Sequence, residues 1–489
     1  MSEIKYLILK ATKIVLIFIM LRILDKVKDL FSRKKSIDSF LKYPEGKRIY
    51  REFHPLRNSM MDPDGLKIIN RLVRNKYKAY FVGGCIRDLL LNRNPKDFDV
   101  VTNATPKEIK RLFANSRIIG KRFRIVHVYF KTRKKGNELK IIEVSTFRKL
   151  PEHRLNGNIK DIDHSLLRRD NVYGTPKEDA ARRDFTMNAL FYDPIKEVII
   201  DYTGGVEDIK NRIIRVIGPP DISYKEDPVR MLRAAKFAPL LDFQIEKKSL
   251  KAIERNKYEI LKVNKNRLHE EFMKIFRTGI SASIMESLYN CGLFDVLFPG
   301  IIQASIENIP KDLKPKKIQF VDTPVAKRLQ VADRMLAERE DLTFNIYLSL
   351  IFVDLVSDIF YPEIKKKKES IDQYIKRKLE PLFQHLQLSG RDQERIFQIF
   401  VAQRQIGSVA FDQKKLNKQK QQEIKEKKYF FEAFMVYKIF SIAQENEDMI
   451  QKAMIWEIGP RKKPPIDARI VSLYYKPPKS TFKNFVEDL

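Results

Sequence analysis

Two aspartates flank a single phenylalanine in the stretch NRNPKDFDVVTNATP, Asn92–Pro106. If Asp97, Phe98 and Asp99 lie on a strand, alternation puts both carboxylates on one face and sends Phe98 and Val100 into a core. Neighbouring like charges raise each other's pKa, and a cation between them removes that penalty. Upstream, AYFVGG ends in Gly83 and Gly84, and Arg87 falls within the first turn of the helix that follows. A helix N-terminus presents free N–H groups, and glycine lets a phosphate come close to the backbone. The pair is neither a Walker loop, for no Gly-Lys-Ser/Thr follows, nor a dinucleotide fingerprint, for the third glycine is missing. Alone it could be a tight turn, but Asp97 follows Gly84 by only 13 residues. A phosphate cradle beside paired carboxylates suits metal-assisted phosphoryl chemistry, with two Mg²⁺ ions held by oxygen ligands. Glu143, a lone acid in the apolar run IIEVSTF, is the candidate third carboxylate; a pairing with Arg148 or another cation is the alternative.

The elements that must position these groups read as an α+β arrangement. From Asp62 to about Asp201, helices and strands alternate: a helix through Ile68–Val73, the strand AYFV, the helix IRDLLL and the strand DFDVVT. TPKEIKRLF is a helix with Thr105 as N-cap and Pro106 in the first turn. FRIVHVYF and LKIIEVSTF are further strands joined by KTRKKGNE. From about Tyr224 the pattern is mostly helical, punctuated by lysine-rich runs at Lys365–Lys368 and from Lys414. The division expected is a basic, apolar leader over 1–55, a catalytic head with a small mixed sheet over 56–200, and then an all-α remainder. That remainder divides into a neck over 201–262, a body over 263–410 and a basic tail over 411–489.

The 489 residues carry 95 Lys and Arg against 63 Asp and Glu, a net charge of +32. A surplus of that size points to a polyanionic partner, nucleic acid or an anionic membrane surface. Cys85 and Cys291 are too few and too distant for a disulfide framework, which fits a reducing, cytoplasmic setting. Six scattered histidines argue against a zinc site. Within Tyr6–Leu24 the longest uncharged run, Ile14–Leu21, has 8 residues, far short of the roughly 20 that span a bilayer. An integral membrane protein is therefore not expected, although an amphipathic surface helix is possible there. Nothing demands more than a monomer.

Three ordered blocks resemble the class II nucleotidyltransferases, the family of bacterial poly(A) polymerases and CCA-adding enzymes. They are YFVGGCIRDLLLNRNPKDFDVVTNATP, then EDAARRDFTMNALFYDP from Glu178, then YKEDPVRMLRAAKF from Tyr224. The resemblance implies that Asp97 and Asp99 hold magnesium and that Gly83, Gly84 and Arg87 bind the triphosphate of ATP. It implies that Arg183 reaches nucleotide phosphate, that Asn188 lines the nucleotide site, and that Asp184 is an essential acid, supporting the metals or fixing the arginines. Read from the residues alone, Arg182, Arg183 and Asp184 could equally form a structural ion pair.

In the third block, Asp227 followed by Pro228 reads as an N-cap and first helical residue. Arg230, Arg233 and Lys236 then recur every three residues on one face. The resemblance makes this helix the reader of the incoming base, with Lys236 standing where arginine is common. RIIGKRFRIVHVYF, Arg117–Phe130, is closer to the poly(A) polymerase pattern than to that of CCA-adding enzymes. Its Lys121, Arg122 and Arg124 are candidate RNA-phosphate contacts. The expected activity is transfer of AMP from ATP to RNA 3′ ends without a template. A CCA-adding enzyme is the alternative, and an inactive RNA-binding protein on the same scaffold the remote one.

Overall fold

The computed structural model describes residues 37–120, 124–131, 139–149, 172–307, 309, 318–338, 340–357, 370–411 and 418–458. The chain divides into two compact units. One runs up to Asn211 and takes in Arg215–Ser223; the other comprises Arg212–Ile214 and the chain from Tyr224.

The first unit is built on one eight-stranded mixed sheet. Its strands are β1 (Lys47–Ile49), β2 (Ala79–Val82), β3 (Asp99–Thr102), β4 (Ser116–Ile119), β5 (Ile125–Lys131), β6 (Leu139–Thr146), β7 (Leu190–Asp193) and β8 (Val198–Asp201). Their order is β1-β8-β7-β2-β3-β6-β5-β4. Every pairing is antiparallel except β3 with β6, which run parallel with Val100 beside Val144. Lys47–Ile49 lies in the segment read as a leader, yet it pairs with β8 as an edge strand, so the ordered head begins earlier than residue 56.

Helix α1 (Pro63–Arg74) starts where the Asp62 carboxylate accepts from the Asp64 and Gly65 amides, with Pro63 at the first position. Ile68, Ile69 and Leu72 bury the inner stripe of α1, which packs on β2 and β3. A Cβ on Gly65 would stand 2.6 Å from a Phe81 ring carbon, so glycine is what lets this helix lie so close to the sheet. Helix α2 (Gly84–Leu90) follows β2 directly. Helix α3 (Pro106–Leu112) opens with the expected cap, a reciprocal box between Thr105 and Glu108, and covers β4 and β5. On the opposite face Val82, Val101 and Phe191 pack with Phe147, Ala180, Ala189 and Ile217. Each of the buried valine, phenylalanine and isoleucine side chains here is worth about 1.5–3 kcal/mol of transfer free energy.

Among its described residues the second unit is mostly helical, with two short parallel strands, β9 (Ile213–Ile214) and β10 (Gln244–Ile245). Its core includes the helix Phe344–Phe352, on which only Asn345 has any appreciable exposure. Arg328 is fully buried, donating from Nη2 to Asp354 at 2.6 Å, from Nη1 to the same carboxylate at 3.1 Å, and from Nε to the Leu350 carbonyl. No helix among the described residues is long and apolar enough to cross a membrane. Cys85 and Cys291 are both free and buried.

Candidate active site

The glycine turn leaves β2 in a conformation that only glycine adopts readily. Gly83 has φ 84° and ψ −132°, while Gly84 opens α2. Two arginines close around the turn. Arg87 lies within 4 Å of where a Gly84 Cβ would be, and Arg183 within 4 Å of one on Gly83. Arg87 is itself buried and held on both sides. Its Nη1 donates to Asn188 Oδ1 at 2.7 Å, while Nε and Nη2 donate to Asp88 Oδ1. Asn188 passes the chain on, its Nδ2 donating to Asp184 Oδ1 at 3.2 Å. Asp184 also accepts from the Phe185 amide. Thus Gly83, Gly84, Arg87, Arg183, Asn188 and Asp184, drawn from two distant blocks of sequence, converge on one turn.

Both arginines of the second block pair with an acid, but the partner is Asp179 rather than Asp184. Asp179 is buried, and it accepts from Arg182 Nε at 3.0 Å and from Arg183 Nη2 at 2.9 Å. Burial pushes its carboxyl up, but Arg183 and then Arg182 override that and hold it below the usual value. Sequence reading missed this residue. The available signal was an acid three and four positions before twin arginines, the spacing at which helical neighbours meet.

Strand β3 begins at Asp99, and Asp97 lies two residues ahead of it on irregular chain rather than on the strand. Phe98 packs edge-on against Phe81 with ring centres 5.7 Å apart, and Val100 is fully buried. The parallel register of β3 with β6 places Glu143 beside Asp99. Glu143 lies 3.4 Å from His127 Nε2 of β5 rather than against Arg148. Asp99 keeps part of its surface exposed at the start of β3, while its carboxyl lies against the head and is partly desolvated. Burial pushes it up to about 6, with Glu143 adding, Arg183 opposing and Asp97 adding again. Asp97, Asp99 and Glu143 stand near one end of the sheet, and a divalent cation would relieve the repulsion that raises Asp99. Among the described residues no group of three or more His, Cys, Asp or Glu side chains is placed to hold a metal ion, so these carboxylates supply part of a shell that Mg²⁺ ordinarily completes with waters and substrate phosphates. The residues present fit that ion.

In the second unit, helix α4 (Val229–Leu241) corrects the expected cap. Its N-cap is Pro228, already in αR conformation, and makes no side-chain cap. The preceding helix, Pro220–Glu226, delivers the chain into α4, and the Asp227 carboxylate turns instead to Arg267 at 3.0 Å. Arg230 is buried between Glu226 at 3.8 Å and Asp227 at 4.0 Å. Arg233 lies over the Phe237 ring. Lys236 is buried with its Nζ 2.7 Å from Glu271, and burial lowers its pKa although Glu271 opposes. The face expected to be a row of cations is thus largely paired with acids. Of the basic residues in the Arg117–Phe130 stretch, Arg124 is exposed, while Lys121 and Arg122 lie outside the described residues.

Residues 79–215 match the poly A polymerase head domain family, and residues 242–304 match a probable RNA- and SrmB-binding site of polymerase A. Over residues 79–215 the chain thus matches a domain of the nucleotidyltransferase family that poly(A) polymerases and CCA-adding enzymes share. Among its relatives, Escherichia coli poly(A) polymerase I (strain CFT073) is 40% identical over 294 residues, covering 59% of this chain and 61% of that protein. The CCA-adding enzyme of Lactobacillus helveticus is 38% identical over 210 residues, 43% of this chain and 49% of its own. The chain therefore matches about three fifths of the first relative's length and half of the second's. In fold it resembles the Bacillus stearothermophilus CCA-adding enzyme crystallised with CTP, with a TM-score of 0.52, 23% identity, and 81% and 82% of the two chains covered.

Proposed function

We propose that this protein is a template-independent RNA nucleotidyltransferase that transfers AMP from ATP to RNA 3′ ends, a poly(A) polymerase. The observation that carries the reading is the gathering of Asp97, Asp99 and Glu143 at one end of the sheet beside a glycine turn braced by Arg87 and Arg183. The greater length of the match to poly(A) polymerase I supports adenylation over CCA addition.

In this reading the amides that follow Gly83 and the Arg183 guanidinium receive the triphosphate. Asp88 and Asn188 hold Arg87 against the turn, so the positive charge is in place before substrate arrives. Asp184 fixes Asn188 and through it Arg87. Asp97 and Asp99 would hold Mg²⁺, two ions being the expectation, and the metal would supply positive charge that stabilises an in-line displacement. The RNA 3′-hydroxyl displaces pyrophosphate from the α-phosphate, and the residues of the site include no nucleophile–base pair set for a covalent intermediate. In the second unit, Asp227 and Arg230 read the base, with Arg233 and Lys236 on the same helix. The large basic surplus grips RNA through its backbone, without sequence preference. RNA processing in the cytoplasm by a monomer is the corresponding setting.

Primer extension tests the reading. Single nucleotides are offered with Mg²⁺ on an unstructured RNA and on a tRNA lacking its 3′-CCA. Long ladders with ATP alone on either RNA are expected. Three additions confined to the tRNA and needing both CTP and ATP would make the protein a CCA-adding enzyme instead.

A further inference from the structure

The sheet face that carries Asp99 is covered over β2, β3 and β7 by Ala180, Ala189, Phe147 and Ile217. Over β4, β5 and β6 its Arg117, Lys131, Leu139, Ile141 and Glu143 are exposed, and its His127 and Tyr129 are half-buried. Antiparallel partners share a face, so the pairings spell out cross-strand rows on that open surface. Arg117, His127 and Glu143 form one row, and the parallel register continues it to Asp99. Tyr129 and Ile141 form the next, and Lys131 and Leu139 the one after. Leu139 and Ile141 are 56% and 45% exposed, while Arg117, Arg124 and Lys131 are exposed cations around them. The rings of His127 and Tyr129 stand edge to face, 6.3 Å apart. Apolar and aromatic side chains on a solvent face, ringed by cations and running without a break into carboxylates, are not what a merely solvated sheet needs.

We infer that the open face of β4–β6 is a stacking platform for the last bases of a single-stranded RNA, with Tyr129 under one of them and the 3′ end directed to the Glu143–Asp99 end. This rests on the nucleotidyl-transfer reading and adds to it the path of the strand being extended. Single-stranded nucleic acids bind where aromatic rings take base faces and cations track the backbone, and Tyr129, Arg117 and Lys131 offer both. Tyr129 lies two residues along the strand, about 7 Å, from the Glu143 row, so a base stacked on it belongs to a nucleotide close to the reacting end. The flat apolar floor of Ile141 and Leu139 tolerates any base. Cations dominate the rim except at the carboxylate end, which argues for a polyanion rather than an acidic-to-basic protein contact.

The test uses the full chain, an unstructured oligoadenylate and Mg²⁺–ATP. Tyr129→Ala is expected to raise KM for the RNA about tenfold, in line with the loss of one base–aromatic stack. KM for ATP should stay within about twofold, and Tyr129→Phe should restore the RNA value. On the unmodified protein, RNA carrying 4-thiouridine at its last two positions should crosslink to the peptides of β5 and β6. An active Tyr129→Ala variant with an unchanged RNA KM, or crosslinks that fall elsewhere on an active protein, would overturn the platform and leave nucleotidyl transfer standing. An unmodified protein that incorporates no nucleotide on any RNA would overturn both.

Discussion

Adjacent glycines in the turn after β2 should respond to the same substitution in opposite ways. Gly83 sits at φ 84°, ψ −132°, a region where an L side chain is strained by about 1–3 kcal/mol. Its added Cβ would meet Arg183 Nη1 at 3.5 Å and the Asn188 carbonyl at 3.7 Å, ordinary contacts, so the penalty for Gly83→Ala is backbone strain and not collision. Gly84 has no positive φ and begins α2. Its Cβ would meet only the end of Arg87, at 3.5 Å. Gly84→Ala should therefore leave stability within about 0.5 kcal/mol of the original. It nonetheless puts a methyl group where a phosphate must approach the backbone. Urea unfolding and KM for ATP, measured on both variants, separate the two effects. Gly83→Ala should lose about 1–3 kcal/mol, whereas Gly84→Ala should stay folded and raise KM for ATP about tenfold, a loss of about 1.4 kcal/mol of binding. Equal stability of the two variants would refute the argument from backbone conformation. An unchanged KM in Gly84→Ala would show that the triphosphate does not come down on this turn.

Other substitutions probe the remaining parts. Asp99→Asn keeps the shape of the side chain and removes its charge, so nucleotide incorporation should fall by at least about 10²–10³-fold while RNA affinity, measured by filter binding, changes little. Arg328→Met strands the buried Asp354 carboxylate and should cost about 3–5 kcal/mol in urea unfolding; the double change Arg328→Met, Asp354→Leu should recover most of it. Asp179 is held below its ordinary value of 3.8 by its arginines, so its contribution is complete above that value and is lost as pH falls through the lower folded value. Thermal melts should show Asp179→Asn less stable than the original at pH 7, with a weaker further loss below about pH 4.

What the sequence makes legible is what local chemistry encodes. The Thr105 cap, the Pro106 that follows it and the glycine turn are written in neighbouring residues, and each folds as read. Glu143 was found because a charge in an apolar strand demands a reason, but its place beside Asp99 depends on a parallel pairing between segments over forty residues apart in sequence, which no local pattern declares. The cap at Asp227 failed for a related cause. The motif Asp-Pro favours a helix start, but a helix already ends at Glu226 and Arg267, forty residues on, takes the carboxylate. Lys47–Ile49 was read as leader because three residues are too short to show alternation, and only β8 makes them a strand.

The order in which the chain visits its two units limits how it can be divided. Having finished β8 at Asp201, it passes to the second unit for Ile213 and Ile214, which pair with β10, and then returns. On the return, Val216 bridges Phe185, the Arg215 carbonyl accepts from the Thr186 amide, and Ile217 enters the cluster over β2, β3 and β7. A stop codon after Asn211 would therefore release a head with an open seam over those strands. A boundary after Ser223 would close that seam but strip the second unit of a strand. During synthesis the head likewise cannot seal until Ile217 has left the ribosome.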